Sequence, residues 1–87
     1  MDDPATSFEH IVRFVSVDPM ENRFRFYELR WQPNLWGGVA LVRVWGRLGT
    51  PGQTRADHYP DRESARSASV RAFRQRLRRG YCLVSAD

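Results

Sequence analysis

The stretch Val39-Ala40-Leu41-Val42-Arg43-Val44-Trp45-Gly46-Arg47-Leu48-Gly49-Thr50-Pro51-Gly52-Gln53-Thr54-Arg55-Ala56-Asp57-His58-Tyr59 decides the fold. Its first half is apolar and rich in β-branched residues, which predicts a strand from Gly38 to about Leu48. Gly49-Thr50-Pro51-Gly52 reads as a turn, its Pro51-Gly52 pair carrying the type II signature of Pro at the second turn position and Gly at the third. A hairpin into a second strand, Gln53 to Tyr59, should follow. Strand residues alternate between faces. Val39, Leu41, Arg43, Trp45 and Arg47 therefore share one face, and Ala40, Val42 and Val44 share the other, which reads as core. The first face ends in an indole flanked by two guanidiniums. That grouping suits stacking on a base or sugar and binding phosphate.

C-terminal to the hairpin, Pro60 ends the strand and Asp61 is a good N-cap, with Glu63 complementing the helix dipole in the first turn. The helix should run from about Asp61 to Arg79, with Gly80 as its stop. Ala65, Ser69, Ala72, Phe73 and Leu77 fall on one side, with Val70 at its edge. Small residues at 65, 68, 69 and 72 would let this helix lie close to a sheet. Arg71, Arg74 and Arg78 form a basic stripe on the opposite side. A short strand, Tyr81 to Ser85, closes the chain, and its Cys82 reads as a small buried hydrophobe.

N-terminal to the hairpin, residues 23–32 alternate and carry aromatics, predicting another strand. Arg23, Arg25, Tyr27, Leu29 and Trp31 lie on one face of it. Residues 18–22 read as a turn, residues 8–17 as a first strand, and 33–38 as a connection bounded by Pro33 and the Gly37-Gly38 pair. Residues 1–7 read as a flexible polar leader and 8–87 as one domain. The order β-β-β-β-α-β predicts an α+β fold, an antiparallel sheet of about five strands with one packed helix.

Charge narrows the chemistry. The net charge is +4, and all fourteen basic residues are arginine. The absence of lysine excludes a Schiff-base or P-loop lysine. Residues 60–80 hold seven Arg against two acids, whereas residues 1–59 hold seven of each, so the positive field comes from one segment. Such a field favours polyanions. Two histidines, His10 and His58, and one cysteine make no zinc pattern, and no nucleophile–base spacing appears. The expectation is a chain that is not an enzyme, with no catalytic residue, metal, cofactor or small-molecule substrate. No apolar run is long enough to cross a bilayer and no signal-peptide core is present, which predicts a cytoplasmic protein without a membrane partner.

The binding inventory is richer. Trp31 reads as core, and Trp36 sits in a loop beside two glycines. Trp45 has arginine as both same-face neighbours. Arg25 and Arg55 lie on strands and extend the basic surface. Gly46, Gly49 and Gly52 read as hairpin punctuation, and Tyr59 and Tyr81 as pins between helix and sheet.

With these residues placed, Asn22 to Leu83 resembles a WGR domain. The matching pieces occur in the family's order: Arg25-Phe26-Tyr27-Glu28-Leu29, then Val44-Trp45-Gly46-Arg47-Leu48-Gly49, the Gly52-Gln53 hairpin, the helix, and Arg79-Gly80-Tyr81. Residues 32–38 further resemble the small standalone bacterial branch. The resemblance implies binding at DNA breaks, as in poly(ADP-ribose) polymerases, close to a 5′-phosphorylated end. It implies that Trp45 packs on the terminal nucleotide, that Arg47 contacts DNA or a neighbouring domain, and that Arg25 meets the phosphate. These 87 residues carry no polymerase or regulatory domain to receive a relayed signal. Two functions follow as expectations. The first is a nucleic-acid-binding module using Trp45, Arg47, Arg43, Arg25 and Arg55, with Arg71, Arg74 and Arg78 as a second phosphate surface. The second is a protein–protein adaptor using the same Trp/Arg face.

Overall fold

A computed structural model describes residues 11–33 and 37–86. The predicted leader, His10 and Trp36 lie outside the described residues. The elements are β1 (Ile11–Asp18), a short 3-10 turn (Pro19–Glu21), β2 (Arg23–Pro33), β3 (Val39–Arg47), β4 (Gln53–Tyr59), α1 (Arg62–Arg78) and β5 (Cys82–Ala86). The five strands form one antiparallel sheet in the order β4-β3-β2-β1-β5, as the α+β reading expects.

Local chemistry explains the boundaries. Asp18 caps the 3-10 turn by accepting from the Met20 amide at 3.2 Å, and Asn22 closes it in the left-handed region at φ 50°. Asp61 accepts from the Ser64 amide at 2.7 Å, satisfying one of the free donors at the start of α1. Its carboxyl is held below its ordinary range by the Ser64 backbone hydrogen bond. At the other end Gly80 takes φ +85°, its amide donates to the Leu77 carbonyl, and the Tyr81 amide donates to the Arg76 carbonyl. This left-handed glycine stop turns the chain sharply, so that Tyr81 folds back beside Arg76.

The helix carries the chain across one face of the sheet, from β4 at one edge to β5 at the other. The core lies between them: Val12 and Phe14 of β1, Tyr27, Leu29 and Trp31 of β2, Val39 and Leu41 of β3, against Ala65, Ala68, Ala72 and Phe73 of α1. Phe73 meets Phe14 edge-on at 5.1 Å. The small residues at 65, 68, 69 and 72 are all buried, which permits close approach of helix and sheet. Tyr59 and Tyr81 pack against this core, as pins should.

Three expectations are corrected. The helix covers the Val39/Leu41/Arg43/Trp45 face of β3, and Ala40, Val42 and Val44 face the other way. Both faces of β3 are apolar, so alternation alone could not choose between them. Leu77 is 46% exposed, because the inward periodicity passes from Ala72 and Phe73 to Arg76. Cys82 is exposed, because β5 is an edge strand.

The helix-free face carries its own polar centre. Glu28 is buried there and pairs with both Arg13 and Arg30, the latter at 2.7 Å. Burial by itself raises the Glu28 carboxyl pKa, but hydrogen bonds from Arg30 and Arg13 and their charges outweigh it and hold the pKa below the ordinary carboxylate value.

Candidate nucleic-acid interface

The motif residues form the C-terminal end of β3, where Trp45 shares a recess with Arg76 of α1. Trp45 pairs across the sheet with Tyr27 on one side and Gln53 on the other. Its indole is half-buried and packs on the edge of the core. The motif glycine has a steric reason. A Cβ on Gly46 would lie 2.8 Å from the Cα of Gly52, because the β3–β4 turn folds back upon it. Gly52 in turn sits at φ +75° against the Trp45 carbonyl and the Phe26 ring. The turn is braced by Thr50, whose amide and hydroxyl both donate to the Arg47 carbonyl.

Around Trp45 the surface is concave and cationic. Asn22, Arg25, Trp45, Gly46, Arg47 and Tyr81 line a recess of about 350 Å³. Arg25 and Arg47 are directly opposed on β2 and β3. Arg47 donates to the Asn22 side chain at 3.2 Å and lies over the Phe24 ring. Arg25 is exposed and has no ion pair among the described residues. On its other side, Ser16, Arg23, Arg25, Arg76, Arg79 and Tyr81 line a second recess of about 330 Å³. Arg23 is partly engaged there, donating to the Ser16 hydroxyl at 3.0 Å and lying 3.7 Å from Asp18.

The remaining predicted residues divide. Arg43 and Arg55 face each other across β3 and β4 and share one carboxylate, Asp57, at 3.4 and 3.1 Å. Together with Tyr27, Trp45 and Arg76 they line a third, shallower recess. Arg71 and Arg78 line a fourth, of about 320 Å³, with Arg43, Ala68, Ala72 and Gln75. Arg74, exposed on the same helix, lies outside that lining.

Sequence reasoning missed Arg76. Its guanidinium lies 4.4 Å from the Tyr27 ring centroid and 5.5 Å from that of Tyr81. Its Nε is buried without a hydrogen bond among the described residues. The available signal was spacing: Arg76 follows Ala72 by four and Phe73 by three, on the inward stripe. Arg23 and Arg79 were missed too, since each looked like ordinary surface charge. Among the described residues no group of three or more His, Cys, Asp or Glu side chains could hold a metal. No helix there is long and apolar enough to cross a membrane.

Comparisons with known proteins identify the family and the fold. The family model for the WGR domain matches residues 11–86, and the chain belongs to that family, a family of binding domains associated with nucleic acid. The uncharacterized protein y4dW of Sinorhizobium fredii is 40% identical over 65 residues, which make up 75% of this chain and 32% of the relative. A crystal structure of a Bacteroides fragilis protein superposes with a TM-score of 0.74 at 21% identity, covering 86% of this chain and 19% of that one. That likeness speaks to fold. The chain thus spans about a third of the curated relative and a fifth of the structural one.

Proposed function

We propose that this chain is a non-catalytic module that binds DNA ends or breaks, with Trp45 packing on the terminal nucleotide and Arg25 and Arg47 meeting its phosphate. One observation carries this reading. Two recesses that meet at Arg25 and Tyr81 gather Arg23, Arg25, Arg47, Arg76 and Arg79 with no carboxylate in either lining. Like charges so gathered repel, and an anion relieves the repulsion. Guanidinium forks match phosphate oxygens, and a half-exposed indole offers a face to a base. A 5′-terminal phosphate carries more charge than an internal diester, so a cluster of this density favours the end of a strand.

The test is a titration with a 5′-phosphorylated nicked duplex and its 5′-hydroxyl counterpart across a salt series. Trp45→Ala should weaken both by about 5- to 150-fold, the equivalent of one lost stack. Arg25→Gln should abolish the preference for phosphate. Wild-type binding no stronger than that of a charge-matched control, or an unchanged Trp45→Ala, refutes the reading.

A further inference from the structure

The recesses are not independent. The one beside Arg47 shares Trp45 with the one formed by Tyr27, Arg55 and Arg76, which shares Arg43 with the one formed by Arg71 and Arg78. Arg47, Trp45 and Arg43 are alternate residues of β3, so the three hollows lie in line along one strand. The line covers about 13 Å, at roughly 3.3 Å per residue. It runs into the angle between α1 and the sheet, with Arg43 on the sheet side and Ala68, Arg71, Ala72, Gln75 and Arg78 on the helix side. The two outer hollows, about 350 and 320 Å³, lie near the lower limit of roughly 300 Å³ for small-ligand sites. Hollows of this size take nucleotide-scale groups one at a time, whereas a base-paired step is far wider.

We infer that the site continues past the strand end, and that the preferred ligand carries a single-stranded extension lying along β3 from Trp45 to Arg71 and Arg78. This inference rests on the end-binding reading and names its substrate more closely. Cations recur along the track, so successive phosphates each find a guanidinium. Nothing along it presents a base-reading recognition helix, so the extension is held by backbone and stacking, without sequence preference. The helical arginines divide accordingly: Arg71 and Arg78 serve the track and Arg74 does not.

The experiment compares a blunt 5′-phosphorylated duplex with duplexes bearing 5′ or 3′ single-stranded extensions of about four nucleotides, near the smallest single-strand site sizes. The proteins are wild type, the double variant Arg71→Gln/Arg78→Gln, the helix control Arg74→Gln, and Trp45→Ala. One of the extended ligands should bind wild type about tenfold tighter than the blunt one. The double variant should lose that gain, with a salt slope shallower by about 1.4 for two phosphates on a single strand. Its blunt-end affinity should change less than twofold, as should every affinity of Arg74→Gln. No gain from either extension, or equal losses on blunt and extended ligands, overturns the track. Trp45→Ala on the blunt duplex reports separately on the end-binding reading.

Discussion

The guanidinium of Arg76 stands over the ring of Tyr27, 4.4 Å from its centroid, at a helical position where periodicity calls for an apolar side chain. The left-handed stop at Gly80 brings Tyr81 beside it, edge-on to Tyr27 and 5.5 Å from the same guanidinium. Helix termination, aromatic packing and the cationic surface are therefore one construction. The methylene stem covers the edge of the core and the charged head opens into two recesses.

Arg76→Leu should separate these two roles. A leucine keeps most of the apolar cover, so urea denaturation should shift by less than about 1 kcal/mol, whereas Arg76→Ala should cost about 1–2 kcal/mol through lost packing and cation–π contact. Both variants should lose nucleic-acid affinity alike. A leucine variant that binds as wild type would confine Arg76 to packing.

Gly46→Ala should be far more costly than its one methyl suggests. The added Cβ meets backbone at Gly52, 2.8 Å away, and neither strand can shift without opening the hairpin. Overpacking of this kind costs about 1–3 kcal/mol. Gly52→Ala adds the penalty of a left-handed backbone to a clash of its Cβ with the Trp45 carbonyl, and should cost more still. Thermal unfolding of the two variants checks the ranking. The motif's glycine is thus required by the turn packed against it.

Much of this was legible in the residue order. Asp61 and Gly80 marked both ends of the helix, because each supplies a hydrogen bond or a backbone conformation that neighbouring residues cannot. The Gly49–Gly52 stretch marked the hairpin, but its hydrogen-bonded turn is Arg47–Thr50, with Gly49 at φ +88° in the third position rather than the Pro51-Gly52 turn expected. The side of β3 under the helix was not legible. Val39 and Leu41 compete there with Val42 and Val44, and the choice is made by Val12, Phe14, Tyr27 and Leu29 on other strands. Arg76 was hidden for a related reason. Among seven arginines in one segment, only register distinguishes the one that turns inward.

Acid should weaken the fold through Glu28. Its folded pKa is lowered, so its contribution is complete above the unfolded value, about 4.3, and is lost as pH falls through the folded value. Stability should therefore hold from pH 7 to 5 as far as this group is concerned, then fall. Glu28→Gln should cost about 1–2 kcal/mol at pH 7, leaving Arg13 and Arg30 without their shared negative charge and with one acceptor oxygen in place of two. That difference should close in strong acid. A gap that persists at pH 2 would assign the loss to packing instead of charge.

Asp57 offers a gain rather than a loss. Its carboxylate is shared by Arg43 and Arg55, so in the free protein it neutralises the middle of the track. A phosphate arriving there must compete with it. Asp57→Asn keeps the shape, removes the competing anion and releases two guanidiniums. Affinity for a single-stranded extension should rise severalfold at low salt, and the salt slope should steepen by about 0.7 for each newly neutralised phosphate. The cost in stability should be below about 1 kcal/mol, since these ion pairs are largely solvent-exposed on the Arg55 side. The reverse experiment, Arg43→Gln with Asp57 intact, should leave Asp57 paired with Arg55 alone and weaken binding more than loss of Arg55 does, because Arg43 belongs to two recesses and Arg55 to one of them.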